Sequence, residues 1–214
     1  MTAIGDLLER APVIPVLTLD GAGDGVPVAR ALVAGGLPVL EVTLRTAGAL
    51  EAVRAIAAEV PDALVGVGTV VDPAQFAAAE RAGACFAVSP GHTAALLLAA
   101  ADSGMPYLPG MASVSEAMAL AERGYRALKF FPAESCGGAG FLRALQAPLP
   151  DLRFCPTGGI DAAKAPDYLA LANVACVGGS WPVPAMAVQA GDWDRITALA
   201  RAAAGLRSAT GAAV

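Results

Sequence analysis

Short runs of β-branched and aliphatic residues alternate with longer Ala- and Leu-rich runs along the whole chain. Eight of the short runs read as strands: Val13–Leu19, Val39–Leu44, Leu64–Val70, Cys85–Pro90, Tyr107–Met111, Ala127–Pro132, Arg153–Gly159 and Ala175–Ser180. Between them the apolar spacing changes to the helical one, as in Gly48–Glu59, Pro73–Ala82, Thr93–Ala101 and Ser113–Arg123. Gly35, Gly83, Gly104 and Gly124 close helical runs, where glycine takes the left-handed conformation cheaply. Ser113 with Glu116 three residues on predicts a capping box. Strands that are apolar on both faces and alternate with helices imply a parallel sheet covered by helices. Eight such units in 214 residues predict an α/β fold of the (β/α)8 TIM-barrel type, rather than an open doubly wound sheet. One domain over residues 1–214 is expected, with a short N-terminal helix and a weakly patterned tail, Ala204–Val214, that frays.

Composition narrows the class. The chain is 56% hydrophobic and 15% charged, which favours a large core over disorder. The net charge of −5 and the lack of a basic run argue against a nucleic-acid partner. Gly, Pro and charged residues interrupt every apolar run, so no membrane span is expected. The acidic start "MTAIGDLLER" does not read as a signal peptide, and a cytoplasmic location is expected. Cys85, Cys136, Cys155 and Cys176 show no CxxC spacing; Cys85, Cys155 and Cys176 read as small buried hydrophobes. With His92 the only histidine, no metal site and no cofactor are expected.

In a barrel of this kind, chemistry gathers at the C-terminal ends of the strands. Polar residues collect there: Glu41 and Arg45, Thr69, Ser89 and His92, Lys129, Thr157 and Ser180. The turns "PTGGI" and "VGGSW" end consecutive strands, and paired glycines let backbone N–H groups approach a phosphate. By alternation Glu41, Thr43 and Arg45 share one side of their run. Glu41 and Arg45 read either as a buried ion pair, or as a general acid/base beside a clamp for a substrate carboxylate. Lys129 is one of only two lysines and stands in the apolar run "ALKFFP". Such a lysine snorkels to water, is held in an ion pair, or sheds its proton to act as a nucleophile. An unprotonated amine can attack a ketone to form a Schiff base, an electron sink for breaking the neighbouring carbon–carbon bond. An amine, an acid/base, an anion clamp and a phosphate cradle together describe an aldolase.

The motifs "VLEVTLRT", "VGVGTVVDP", "AVSPG", "LPGMASVSE", "LKFFPAES", "FCPTGGI" and "VGGSWPVP" resemble the class I 2-dehydro-3-deoxy-6-phosphogluconate (KDPG) aldolase family, also named 4-hydroxy-2-oxoglutarate aldolase. The resemblance runs in order from about Val13 to Ala200. It implies a metal-free (β/α)8 barrel that assembles as a homotrimer. It implies reversible cleavage of KDPG to pyruvate and glyceraldehyde 3-phosphate, a step of the Entner–Doudoroff pathway. Carried over by motif, Lys129 forms the Schiff base and Glu41 shuttles protons. Arg45 and Thr69 bind the pyruvate carboxylate, Phe131 and Pro90 wall the pocket, and Thr157 lines it. Gly158, Gly159 and Ser180 hold the phosphate. His92 and the pair Cys136–Gly137 depart from the family pattern; His92 is expected in a solvated loop, and Lys164 on the surface.

Three alternatives remain. An aldolase for the galactonate epimer shares most of the site, although Arg45 favours the gluconate enzyme. A phosphate-binding barrel without Schiff-base chemistry would share the glycine turns and need no lysine facing Glu41. A catalytically dead scaffold should have lost Lys129, Glu41 or Arg45. Cleavage of 4-hydroxy-2-oxoglutarate is a plausible second activity.

Overall fold

The computed structural model describes residues 3–206. The tail expected to fray lies outside the described residues from Arg207 onward. A short helix, α1 (Ile4–Leu8), precedes β1 (Val13–Leu17), α2 (Ala22–Ala34), β2 (Val39–Thr43), α3 (Ala49–Glu59), β3 (Leu64–Gly68) and α4 (Ala74–Arg81). The alternation continues with β4 (Ala87–Val88), α5 (Ala94–Ser103), β5 (Tyr107–Leu108), β6 (Gly110–Met111), α6 (Val114–Glu122) and β7 (Ala127–Phe130). It ends with α7 (Gly138–Leu145), β8 (Arg153–Pro156), α8 (Ala165–Leu169), β9 (Val177–Gly179), α9 (Ala185–Gln189) and α10 (Trp193–Ala204).

All strand pairs are parallel. Six strands run in the order β5-β4-β3-β2-β1-β9, and three in the order β6-β7-β8. The fifth run of the sequence becomes two strands because Pro109, which has no N–H to give to a ladder, interrupts it. Several strands are shorter than their apolar runs. Cys85 falls before β4 and is only half-buried, not a core residue like Cys155 and Cys176; burial pushes its thiol up to about 11.

Alternation divides the core in two. Val13, Leu17, Leu40, Val42, Val65, Val67, Leu128, Phe130, Phe154 and Val177 face the helices. The opposite faces bring Ile14, Val39, Phe86, Val88, Leu108, Ala127, Cys155 and Cys176 together, with Leu7 and Leu8 of α1 packed on the same cluster. Two residues further along four of these strands the inner face turns polar or small: Val39 gives way to Glu41, Ala127 to Lys129, Cys155 to Thr157 and Cys176 to Gly178. The site is therefore the next layer of the same inward-facing rows.

Helix ends largely follow the sequence signals. The Ser113 hydroxyl accepts from Glu116 N–H while the Glu116 carboxylate accepts from Ser113 and Ala112 N–H, closing the capping box. Gly83, Gly104 and Gly124 have positive φ, as expected. Gly35 does not, with φ −84°; the left-handed residue is Gly36. Gly35 is needed for another reason: a Cβ there would lie 2.3 Å from Ala200 Cβ, so its absence lets α2 and α10 pack closely.

Candidate active site

Lys129 of β7 and Glu41 of β2 come from different sheets, yet Lys129 Nζ donates to Glu41 Oε1 at 3.0 Å. Their side chains are 6% and 4% exposed, so Lys129 does not snorkel; the ion-pair reading holds. The partner is not the one expected for Glu41, because Arg45 is exposed and lies past the end of β2. Alternation stops where the strand stops, and the turn carries Arg45 out of the row that holds Glu41 and Thr43. Thr43 is buried and donates to the Leu17 carbonyl at 2.8 Å. A buried ion pair adds little net stability, since desolvation offsets most of its attraction. Held at that cost in the polar layer at the strand ends, the pair marks a candidate functional site.

Glycines make room for this pair. Gly68 of β3 lies beside Thr43, and a Cβ on it would sit 2.1 Å from Glu41 Oε1. Gly110 of β6 is in register with Lys129, and a Cβ there would meet the Pro90 carbonyl at 2.3 Å. Pro90 is thereby set against the strand next to the lysine. The Phe131 ring centroid lies 5.5 Å from Lys129 Nζ, within cation–π reach.

Phe131 also borders a cavity of about 250 Å³ at the C-terminal strand ends. Its lining includes Arg45, Thr157, Gly158, Gly159, Gly178, Gly179 and Ser180, with Val16, Thr18 and Ile160. Arg45, Thr157, Gly158, Gly159 and Ser180, expected from the sequence to bind anions or line the pocket, thus meet around one space, while Lys129, Glu41, Thr69 and Pro90 are not among its lining residues. Thr157 is buried, Ser180 exposed, and Gly158 and Gly159 have φ of 105° and 79°, a pair of left-handed residues that favours glycine. Thr69 sits beyond β3, and its hydroxyl accepts from Arg45 Nε at 3.3 Å. Among the described residues it is the one non-glycine residue with positive φ, 60°. A β-branched side chain held there costs about 1–3 kcal/mol, and such strain gathers at functional sites.

Two strand-end polar residues are placed differently. Ser89 is buried in a network with the Tyr107 hydroxyl and the Gly91 carbonyl. Burial pushes Tyr107 up to about 12. His92 is half-buried, not simply solvated, with Nδ1 2.8 Å from the Gly110 carbonyl. Glu134, Lys164 and Tyr168 were not singled out as site residues by the sequence, yet they ring the Gly158–Gly159 turn. The only available hint was the position of Glu134 within "LKFFPAES". Among the described residues no three His, Cys, Asp or Glu side chains gather as metal ligands.

A family model described as "Aldolase: KDPG and KHG aldolase" matches residues 4–199. The chain belongs to the KDPG and KHG aldolase family. It is 54% identical over 202 residues to the KHG/KDPG aldolase of Escherichia coli, covering 94% of this chain and 95% of that one. It is 52% identical over 198 residues to the 2-dehydro-3-deoxy-phosphogluconate aldolase of Pseudoalteromonas atlantica, covering 92% of each. The KDPG aldolase of Legionella pneumophila, solved with pyruvate captured at low pH as a covalent carbinolamine intermediate, superposes with a TM-score of 0.92 at 47% identity, covering 95% of this chain and 98% of that one. Like other members of this aldolase family, the chain is a lyase by class.

Proposed function

We propose that this family member is a class I aldolase that cleaves KDPG reversibly to pyruvate and glyceraldehyde 3-phosphate, the Entner–Doudoroff step. The observation that carries this is the buried Lys129–Glu41 pair, 3.0 Å apart, with Phe131 both close to the amine and on the wall of a cavity lined by Arg45, hydroxyls and glycine backbone suited to an anion. Lys129 Nζ, its proton taken by Glu41, attacks the substrate ketone. Glu41 returns that proton to the carbinolamine oxygen, and water leaves to give the iminium. Glu41 then removes the proton from the hydroxyl at the bond to be cleaved. That bond breaks, its electrons flow into the iminium, and the phosphorylated aldehyde departs. Protonation of the remaining enamine and hydrolysis of the imine release pyruvate and restore Lys129.

The other roles follow from position. Arg45, steadied by Thr69, holds the pyruvyl carboxylate. Phe131 and Pro90 wall the reacting carbons from water, and Thr157 lines the floor. Gly158, Gly159 and Ser180 cradle the phosphate. Naming of the Escherichia coli relative as a KHG/KDPG aldolase supports 4-hydroxy-2-oxoglutarate as a second substrate, since the pyruvyl half of both is the same. A solved KDPGal protein is only 27% identical, which favours the gluconate over the galactonate substrate.

The same reading extends to the fold and its surroundings. The strands form one closed (β/α)8 barrel and one domain. Pro109 alone separates β5 from β6, and bridges Phe154–Val174 and Thr157–Gly178 link β8 toward β9. The protein works in the cytoplasm as a homotrimer; no helix among the described residues is long and apolar enough to cross a membrane. The deciding experiment is incubation with pyruvate and borohydride, followed by peptide mapping. An adduct on Lys129 is expected. No adduct, or one on Lys164 alone, would overturn the Schiff-base assignment.

A further inference from the structure

Glu134, Lys164 and Tyr168 have no part in the chemistry above, yet all three bear on the turn beside the cavity. Lys164 Nζ donates to the Gly159 carbonyl at 2.9 Å and pairs with Glu134 Oε2 at 2.8 Å. The Tyr168 hydroxyl donates to Glu134 Oε1. Glu134 N–H donates to the Gly158 carbonyl at 3.1 Å. Behind Lys164, the Asp161 carboxylate accepts from the N–H groups of Ala163 and Lys164 and fixes the approach of the lysine. Glycine at 159 is required by the same arrangement, because a Cβ would lie 2.8 Å from Glu134 Cγ.

A trans peptide is planar, so its C=O and N–H point in opposite directions. Holding the Gly158 and Gly159 carbonyls toward Glu134 and Lys164 turns the N–H groups of Gly159 and Ile160 the other way. Among the described residues neither N–H has a backbone acceptor, and both residues line the cavity. Two such N–H groups in succession form a concavity for an anion. The hydrogen bond to Lys164, reinforced by Tyr168, holds the Glu134 carboxyl below its usual range, and Glu134 in turn raises Lys164. Both groups are therefore charged at neutral pH.

We propose that Lys164, braced by Glu134 and Tyr168, is a positioning residue that locks the Gly159–Ile160 peptide so that its N–H and that of Gly159 face a bound phosphate monoester. Only the identity of that ester rests on the aldolase reading; the anion cradle does not.

The test is titration of the full chain with inorganic phosphate, followed by the amide NMR signals of Gly159 and Ile160. Wild type, Lys164→Met and Lys164→Arg are compared. In wild type both signals should move. In Lys164→Met phosphate should bind about tenfold more weakly, the scale of one hydrogen bond to a charged group discounted for its exposure. Lys164→Arg, which can donate to both the carbonyl and Glu134, should recover most of the affinity. With the phosphorylated sugar acid, Lys164→Met should raise KM more than it lowers kcat. Equal affinity in wild type and Lys164→Met, or no recovery with arginine, would overturn the proposal. Wild-type amides that ignore phosphate would overturn it whatever the catalytic result. Amides that respond in a wild type unable to cleave the sugar acid would sink the aldolase reading and leave the positioning role standing.

Discussion

Replacing Gly68 by alanine separates the placement of Glu41 from its mere presence. The new Cβ would lie 2.1 Å from Glu41 Oε1, 2.6 Å from Cγ and 2.7 Å from Cδ, where ordinary contact begins at 3.4 Å. The strand backbone is locked by ladders to β2 and β4, so the carboxylate must yield. A retreat of about 1 Å would stretch the 3.0 Å contact with Lys129, and misplacement on that scale costs on the order of 10²-fold in rate. Stability should fall by up to about 3 kcal/mol, as two buried charges lose each other's compensation. Gly66→Ala is the control on the same strand and face. Gly66 is the register partner of Glu41, but the three atoms nearest its Cβ, at 2.5–2.6 Å, all belong to the Phe86 ring and none to the ion pair. Overpacking there costs about 1–3 kcal/mol and presses on Phe86, whereas a Cβ at Gly68 presses on the Glu41 carboxylate itself. The assay is pyruvate release from KDPG, coupled to NADH oxidation, with chemical denaturation run on both variants. Gly68→Ala should lose about 10²-fold in kcat and Gly66→Ala only a few-fold. A folded Gly68→Ala protein within threefold of wild type would refute the view that the position of Glu41 limits the reaction.

Two further outcomes are expected. Lys129→Met should abolish pyruvate trapping and also destabilise the fold by about 3 kcal/mol, because it strands a buried carboxylate; adding Glu41→Gln should restore much of that loss in denaturation curves, and a double variant no more stable than the single one would contradict the argument. All three tyrosines, Tyr107, Tyr125 and Tyr168, are raised above 10, each mainly by burial. The folded state therefore holds phenolic protons that the unfolded chain releases near pH 10. Stability from these groups is complete below pH 10 and is lost as the pH climbs through their folded values. Tyrosinate absorbance should accordingly appear at higher pH than for free tyrosine and rise together with unfolding; a rise near pH 10 in folded protein would contradict the burial assigned to them.

The alternation of apolar runs with helical ones is local, so the sequence alone specified parallel strands, most helices and the inward-facing rows of Val39–Glu41–Thr43 and Ala127–Lys129. The family motifs likewise singled out Lys129, Glu41, Arg45, Thr157, Gly158, Gly159 and Ser180, which the fold brings to the same strand ends. The tertiary structure decided which groups actually touch. Arg45 leaves the Glu41 row because β2 ends at Thr43, a boundary that hydrogen bonding sets and alternation does not show. Lys129 finds Glu41 across 88 residues, a contact that only the curvature of the two sheets creates. Gly35 and Gly68 look alike in the sequence, yet one admits α10 and the other admits a carboxylate; that difference belongs to the partner each glycine meets. Lys164 read as a surface lysine because nothing local marks it, and it is 46% exposed. Its contact with Gly159 depends on the turn after β8 folding back on the residues that follow β7, and that placement belongs to packing, not to the pattern of the chain.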